Sequence, residues 1–407
     1  MAARWTYPIF VLLGLSSLLA WNTIISAPAY FRERLHGTAV HGNFLNWFTA
    51  IFLFLNVTWV SLILRFGHSM AVDTRVALGL VSLCICLLGF CIVSRLPEII
   101  GYKFFALSVW LVSLGSFATA FIAGLYGLVS RYPPINYQGF NVGQGVAGLL
   151  PAISQIIIAS GNDDPSKQKD SEFPYFLGGL IISVSASFSF YLLKRSPHPA
   201  SPEVNHHYEP VVEESVDDDS LLVQEDSADA PESESASLSV VAPLAVSVLI
   251  DFACTLAVFP AITANVVPVA GQRSRIFTAI HFLVFNLGDL MGKAMPGSRL
   301  LFTKRVGVLV ALSLVRAIVL IPLFFLTNVK FASPELSDAQ TVISEGILGD
   351  KSFLALVLLL GVSNGYCVTN SLMLAPRLVS DEKRQMVGDL FVVVIAVGLS
   401  GGDQLSF

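Results

Sequence analysis

The sequence predicts an all-α polytopic membrane protein of eleven transmembrane helices, six before and five after one polar break. Three observations predict it. Of 407 residues, 54% are hydrophobic and only 13% charged, with a mean hydropathy of +0.70, whereas a soluble domain carries about 25% charge because its surface faces water. Eleven apolar runs are each long enough to cross a hydrocarbon core about 30 Å thick, which takes around 20 residues of helix. Acids crowd one stretch, from Glu203 to Glu234, and no Lys or Arg occurs between Ser196 and Gln272. This balance argues against a soluble enzyme, a nucleic-acid binder and a disordered chain.

Taken in order, the first run lies near residues 7–30. One arginine, Arg4, precedes it, which invites reading it as a signal peptide; apolar character continues past Trp21 to Ala29, too long for a signal core, so it reads as a span. Five more runs follow near 42–65, 75–95, 104–130, 137–160 and 174–194. Asn56-Val57-Thr58 spells a glycosylation acceptor but sits inside the second run, where no glycosylation enzyme reaches. In the fifth, Gly139, Gly143, Gly145 and Gly148 permit a neighbouring backbone to approach closely. The remaining runs lie near 239–264, 275–297, 306–328, 353–375 and 385–405. Pro151, Pro260 and Pro322 bend or interrupt three of the helices, where a freed carbonyl could serve a cavity, although helix packing alone explains most such positions.

Residues 196–238 are rich in Pro, Ser, Asp and Glu and bury too little apolar area to offset chain entropy. The expected organisation is a six-helix bundle over 1–195, a disordered acidic cytosolic linker over 196–238 and a five-helix bundle over 239–407. Such a division fits a carrier whose two halves rock about a site near the membrane midplane. Twelve of the 29 acids belong to the linker region, and the other 17 face 24 bases, so the rest of the chain carries +7. With the amino terminus cytosolic, short loops place twelve Lys and Arg on the cytosolic side and ten on the other, a small excess in the positive-inside direction. Cys84, Cys86, Cys91, Cys254 and Cys367 all lie in apolar runs and read as buried thiols, not as disulfides or metal ligands.

A charge inside an apolar span costs at least about 2.5 kcal/mol, so such residues face a cavity or a partner. Few exist: Asp251, Asp289, Lys293, Arg316 and, nearer an end, Asp389. His281, Phe285, Asp289 and Lys293 recur every four residues and share one helical face. A carboxylate there can accept from two vicinal hydroxyls, an ammonium can donate to an oxygen, and an aromatic can cover a flat ring. A salt bridge that merely lets two charges sit in the membrane is an equal reading of the spacing. In the tenth run, GVSNGYCVTNSLMLAPR (Gly361 to Arg377), Ser363, Tyr366, Cys367 and Asn370 make a second polar face. For Ser363 and Asn364 simple helix joining is the stronger reading.

So arranged, the sequence resembles the equilibrative nucleoside transporter family, in a fungal-like form. LLAWNTIISAPAYFRERL (Leu18 to Leu35) is similar to that family's opening helix, and GQGVAG, VFPAIT (Val258 to Thr263) and FNLGDLMGK (Phe285 to Lys293) follow in its order. RAIVLIPLFFLTN (Arg316 to Asn328), SNGY and APR complete the series. The resemblance implies a two-bundle, major-facilitator-like carrier, not an enzyme, that moves nucleosides and some free bases without a cofactor or metal. It implies that Asp289 and Lys293 bind the ribose hydroxyls, that Trp21 and Leu18 line the site against the base, and that Phe259 lies close by. Lys293 stands where most relatives have arginine, exchanging a planar fork for a point donor. Ile122 stands where many relatives carry a base-reading glutamine, with Thr119 the nearest polar alternative. Members are passive or proton-linked; Asp251 is a candidate coupling acid, or else the partner of Arg316. In the linker, DDDSLL (Asp217 to Leu222) is similar to cytosolic sorting signals. With Asp217, Leu221 and Leu222 read by sorting adaptors, the chain would reside in a vacuolar or lysosome-like membrane; otherwise the plasma membrane is expected. A carrier for sugars or amino acids, and a non-transporting receptor or scaffold, stand as alternatives.

Overall fold

Uninterrupted apolar sequence in lipid has one open-ended way to satisfy its backbone, the α-helix, because no water is present to pair with exposed N–H and C=O groups. The described residues accordingly fold almost entirely as helix. A computed structural model describes residues 2–25, 28–66, 70–160, 172–195, 234–259, 274–327 and 348–405, with positions 263, 266, 268, 330–331 and 342–343 between them. The helices are α1 (Ala2–Ile25), α2 (Pro28–Arg34), α3 (Phe44–Phe66), α4 (Val72–Ser94), α5 (Gly101–Val129), α6 (Pro134–Ser160), α7 (Glu172–Arg195), α8 (Glu234–Val258), α9 (Ser274–Ala294), α10 (Val306–Phe324), α11 (Asp350–Leu374) and α12 (Arg384–Leu405). Two short strands, Lys330–Phe331 and Val342–Ile343, pair antiparallel between α10 and α11.

Local sequence explains several boundaries. The first apolar run is split, with α1 ending at Ile25 and Pro28 opening α2, because proline is suited to a first helical turn but lacks the N–H needed further in. Pro134 opens α6 in the same way. In α10 the ladder widens to a π-turn over Arg316–Leu320, just before Pro322. Proline removes one backbone bond and clashes with the carbonyl four residues earlier, and a π-turn is one way to absorb both.

Among the described residues seven helices are long and apolar enough to cross a membrane: α3, α4, α5, α7, α8, α10 and α11. The other four expected spans coincide with α1, α6, α9 and α12. Three of these carry buried polar groups, including Thr6, Ser16, Ser17 and Thr23 on α1, Asn136, Gln138, Asn141 and Gln144 on α6, and Asp289 and Lys293 on α9, while α12 carries the half-buried Asp389. Large apolar side chains such as Phe54, Trp110, Phe188 and Ile318 point outward, as they do toward lipid. Three of the five cysteines (Cys86, Cys91 and Cys367) are buried as expected, whereas Cys84 and Cys254 are half-buried; all five are free thiols.

Glycine decides which helices pack most closely. α1 lies on α6 where a side chain on Gly143 would strike the Val11 and Leu15 backbones, and α9 lies on α11 where one on Gly361 or Gly365 would strike the Phe285 or Asp289 backbone. Gly365→Val is expected to lower the melting midpoint of the purified protein clearly, since overpacking of this kind costs about 1–3 kcal/mol. Gly178→Ala, where nothing lies within 4 Å of the added carbon, is the control that does not lower it, since alanine favours an open helical position over glycine by about 0.4–1 kcal/mol.

The first six long helices pack mainly on one another, and so do the last five. The two sets meet along α6 and α9 and where α12 lies against the end of α5. At that end Arg75 and Asp389 approach to 3.7 Å, Ser130 donates to the Arg384 carbonyl at 2.9 Å, and Gly388 sits against the Gly127 backbone. Lys194 pairs with Asp73 at 3.7 Å, joining the end of α7 to the start of α4. The opposite end holds Arg34, which donates to the carbonyls of Ser94, Leu96 and Ile99, and Arg95, which covers the Phe173 ring.

Candidate functional site

Helical periodicity puts Phe285, Asp289 and Lys293 on one face of α9, and packing turns that face inward. Asp289 is 7% and Lys293 9% exposed. Lys293 Nζ lies 2.6 Å from Asp289 Oδ2, an acid-before-base pair one helical turn apart. Asn364 of α11 donates its Nδ2–H to the other carboxylate oxygen, Oδ1, at 2.7 Å. Each carboxylate oxygen can accept two hydrogen bonds, so each keeps one acceptor position, and the ammonium keeps donors. This is the geometry that two neighbouring hydroxyl groups require.

The same segment of α9 is tied to the first half of the chain. Gln138 of α6 donates to the main-chain carbonyls of Lys293 (3.4 Å) and Ala294 (3.3 Å), and Tyr7 of α1 donates to Gln138 Oε1 at 3.0 Å. Gly145 leaves room for Leu290 and the Lys293 stem, and Gly148 for Asn286. One turn before Asp289, Phe285 stacks on Phe259 with ring centroids 3.9 Å apart. His281 meets the edge of the same ring, at 6.0 Å. Phe259 and Phe285 therefore present a paired aromatic surface beside the charges.

Other sequence-predicted residues are placed differently. Trp21 packs on Phe52 of α3, centroids 4.5 Å apart. Leu18 is half-buried one turn before it. Ser363 returns its hydroxyl to the Leu360 carbonyl of its own helix at 3.1 Å. Asn370 lies about 9 Å along the axis from Asn364, at 1.5 Å rise per residue. With its amide turned to satisfy both groups, it accepts from the Thr303 N–H (3.1 Å) and donates to the Thr303 carbonyl (3.2 Å), so it holds the loop before α10 and does not meet the pair. Ile122 is buried against Gly79 of α4. Asp217, Leu221 and Leu222 lie outside the described residues.

Asp251, expected either as a coupling acid or as the partner of Arg316, is placed as that partner. Arg316 Nη1 donates to Asp251 Oδ1 at 2.7 Å, Ser313 donates to Oδ2 at 3.0 Å, and Asp251 is 0% exposed. Two features were not legible in the sequence. Asn364 joins helices, as the sequence suggests, but nothing there names Asp289 of α9 as its partner. Gln144, inside the GQG run, donates to Ser17 (3.2 Å) and to the Tyr126 hydroxyl (2.9 Å), joining α1, α6 and α5. Among the described residues no three His, Cys, Asp or Glu side chains cluster as metal ligands.

Comparison with known proteins follows the same lines. The chain is 29% identical to equilibrative nucleoside transporter 2 of Homo sapiens, over 98% of this chain and 95% of that protein. It is 25% identical to equilibrative nucleoside transporter 3 of Rattus norvegicus (97% and 86%) and 24% identical to equilibrative nucleotide transporter 1 of Arabidopsis thaliana (99% and 86%). Among solved structures, its fold is similar to the major facilitator superfamily transporter FucP in the outward conformation, with a TM-score of 0.51 over 97% of each chain at 13% identity. It is also similar to the human organic anion transporter MFSD10, with a TM-score of 0.52 over 98% of this chain and 92% of that one at 15% identity. The fold is that of a multi-pass, two-bundle membrane carrier. Residues 108–407 match the nucleoside transporter family, and the chain belongs to that family.

Proposed function

We propose that the chain is a facilitative carrier of nucleosides in which Asp289 and Lys293 hold the sugar hydroxyls and the Phe259–Phe285 surface covers the ring beside them. The observation that carries the reading is the buried pair itself, 2.6 Å apart with one acceptor position open on each carboxylate oxygen. The similarity to proteins named equilibrative nucleoside transporters supports the substrate class. Trp21 and Leu18 complete the site from α1. Base preference does not run through Ile122, whose side chain is spent on Gly79. Asp251 serves by neutralising Arg316.

Transport proceeds by alternating access of two bundles, 1–195 and 239–407, joined by the acidic linker. In this arrangement α1, α6, α9 and α12 also cross the membrane, their polar faces directed at the path. The end closed by Arg75, Asp389 and the Gly127–Gly388 contact is cytosolic, and the site opens toward the other face. The resident membrane is vacuolar or lysosome-like if sorting adaptors read Asp217, Leu221 and Leu222, and the plasma membrane if they do not.

Uptake of labelled adenosine, uridine and glucose into proteoliposomes tests the assignment. Saturable uptake of the nucleosides, with glucose at background, is expected. Uptake of glucose alone would make the chain a carrier for another polar solute, and uptake of none would make it a receptor or scaffold.

A further inference from the structure

The Asp289 carboxylate is the end of a longer chain of hydrogen bonds that no transport step described above uses. Arg316 Nη2 donates to Thr255 Oγ1 at 2.7 Å. Thr255 Oγ1 lies 2.9 Å from Asn364 Oδ1 and 2.7 Å from the Asp251 carbonyl oxygen, so its hydroxyl proton is shared between two acceptors, Asn364 among them. Asn364 Nδ2 donates to Asp289 Oδ1 at 2.7 Å. All of these groups are buried and come from four helices, α8, α9, α10 and α11.

The direction of the chain is fixed by its ends. A guanidinium only donates and a carboxylate only accepts. Thr255 must therefore offer its oxygen to Arg316, and Asn364 must turn its NH2 toward Asp289 and its oxygen toward Thr255. Asp251 holds Arg316 in place through the other guanidinium nitrogen. The approach of α11 to α9 at Gly361 and Gly365 brings Asn364 within reach. With Lys293 on Oδ2 and Asn364 on Oδ1, the carboxylate plane cannot rotate, and its two open acceptor positions have fixed directions.

We infer that Asn364 is a positioning residue that sets the Asp289 carboxylate for two vicinal hydroxyls, so that the relay from Arg316 through Thr255 governs discrimination between ribonucleosides and deoxyribonucleosides. The inference rests on the proposed sugar-binding role of Asp289. Without the amide, Oδ1 turns freely and one hydroxyl contact loses its geometry, while a substrate lacking that hydroxyl loses nothing.

The test is concentration-dependent uptake of adenosine, 2′-deoxyadenosine and 3′-deoxyadenosine by proteoliposomes bearing the wild-type chain, Asn364→Leu or Thr255→Val. Leucine keeps the volume of asparagine without its donor, and valine keeps the shape of threonine without its hydroxyl. For Asn364→Leu the KM for adenosine is expected to rise roughly 10-fold, the value of a hydrogen bond to a charged group. The KM for one of the two deoxynucleosides changes less than about 2-fold, so the preference for ribose falls by nearly the whole factor. Thr255→Val, which leaves the amide present but free to turn, moves the ratio in the same direction by a smaller amount, and serves if Asn364→Leu does not fold. A role confined to joining helices lowers Vmax for all three substrates equally and leaves the ratios unchanged; that result overturns the inference. A wild-type chain that takes up no nucleoside overturns the proposed function instead.

Discussion

Asp289→Asn is expected to reduce adenosine uptake roughly 100-fold while the amount of monodisperse protein falls less than about 2-fold. The loss follows from two hydroxyl contacts to a charged acceptor, each worth about 1.5–3 kcal/mol, being exchanged for contacts to a neutral amide. Folding is spared because the asparagine keeps a side-chain oxygen that can still accept from Asn364 of α11, and the ion pair itself lies within α9, one turn apart. The Lys293 stem, released, can bring its ammonium toward the open side of the site. Uptake normalised to protein recovered by size-exclusion chromatography reads both quantities from one preparation. A parallel fall in the two would mean that the pair only neutralises itself, and the sugar-binding reading would be lost.

Arg316→Met should have the opposite signature, with folded protein lost before any transport parameter can be measured. Asp251 has no exposed surface, and removing its guanidinium partner leaves a buried charge that only the Ser313 hydroxyl meets, a defect that typically costs about 3–5 kcal/mol. The double variant Asp251→Leu with Arg316→Met removes both charges and is expected to recover most of the protein, since apolar replacement of a buried pair is often close to neutral. Melting midpoints of the two variants decide the matter. Should the single and double variants melt alike, the pair contributes nothing as a pair, and Arg316 is required for some other contact.

How far the sequence carried depends on which residues have to meet. The His281, Phe285, Asp289, Lys293 stripe was legible because a helix imposes its own period, and partners four residues apart meet whatever surrounds them. The partnership of Asp251 with Arg316 could be named as one of two options and no further, because 65 residues separate them and only the packing of α8 on α10 brings them together. Asn364 could be read as joining helices, but its partner could not be named, for the same reason. Its partner lies 75 residues away, and nothing in the run SNGY distinguishes a side chain turned to α9 from one turned to its own backbone, as Ser363 is. Asn370, on the expected polar face, went to the Thr303 backbone because α11 continues past α9 to the loop before α10.

Composition by itself determined that this chain lives in a bilayer, because too little charge is present to clothe a soluble surface. Periodicity alone put opposite charges on one turn of one helix. Only the tertiary structure decided what faces them. The crossing of α9 and α11 is set by backbone contact at Gly361 and Gly365, and that crossing, not the identity of any polar residue, selects Asn364 as the donor to Asp289; a separate close approach, of α4 to α5 at Gly79, places Ile122. Close approach of two helices is a property of both surfaces at once, and a single strand of sequence carries each surface without saying which other one it will meet.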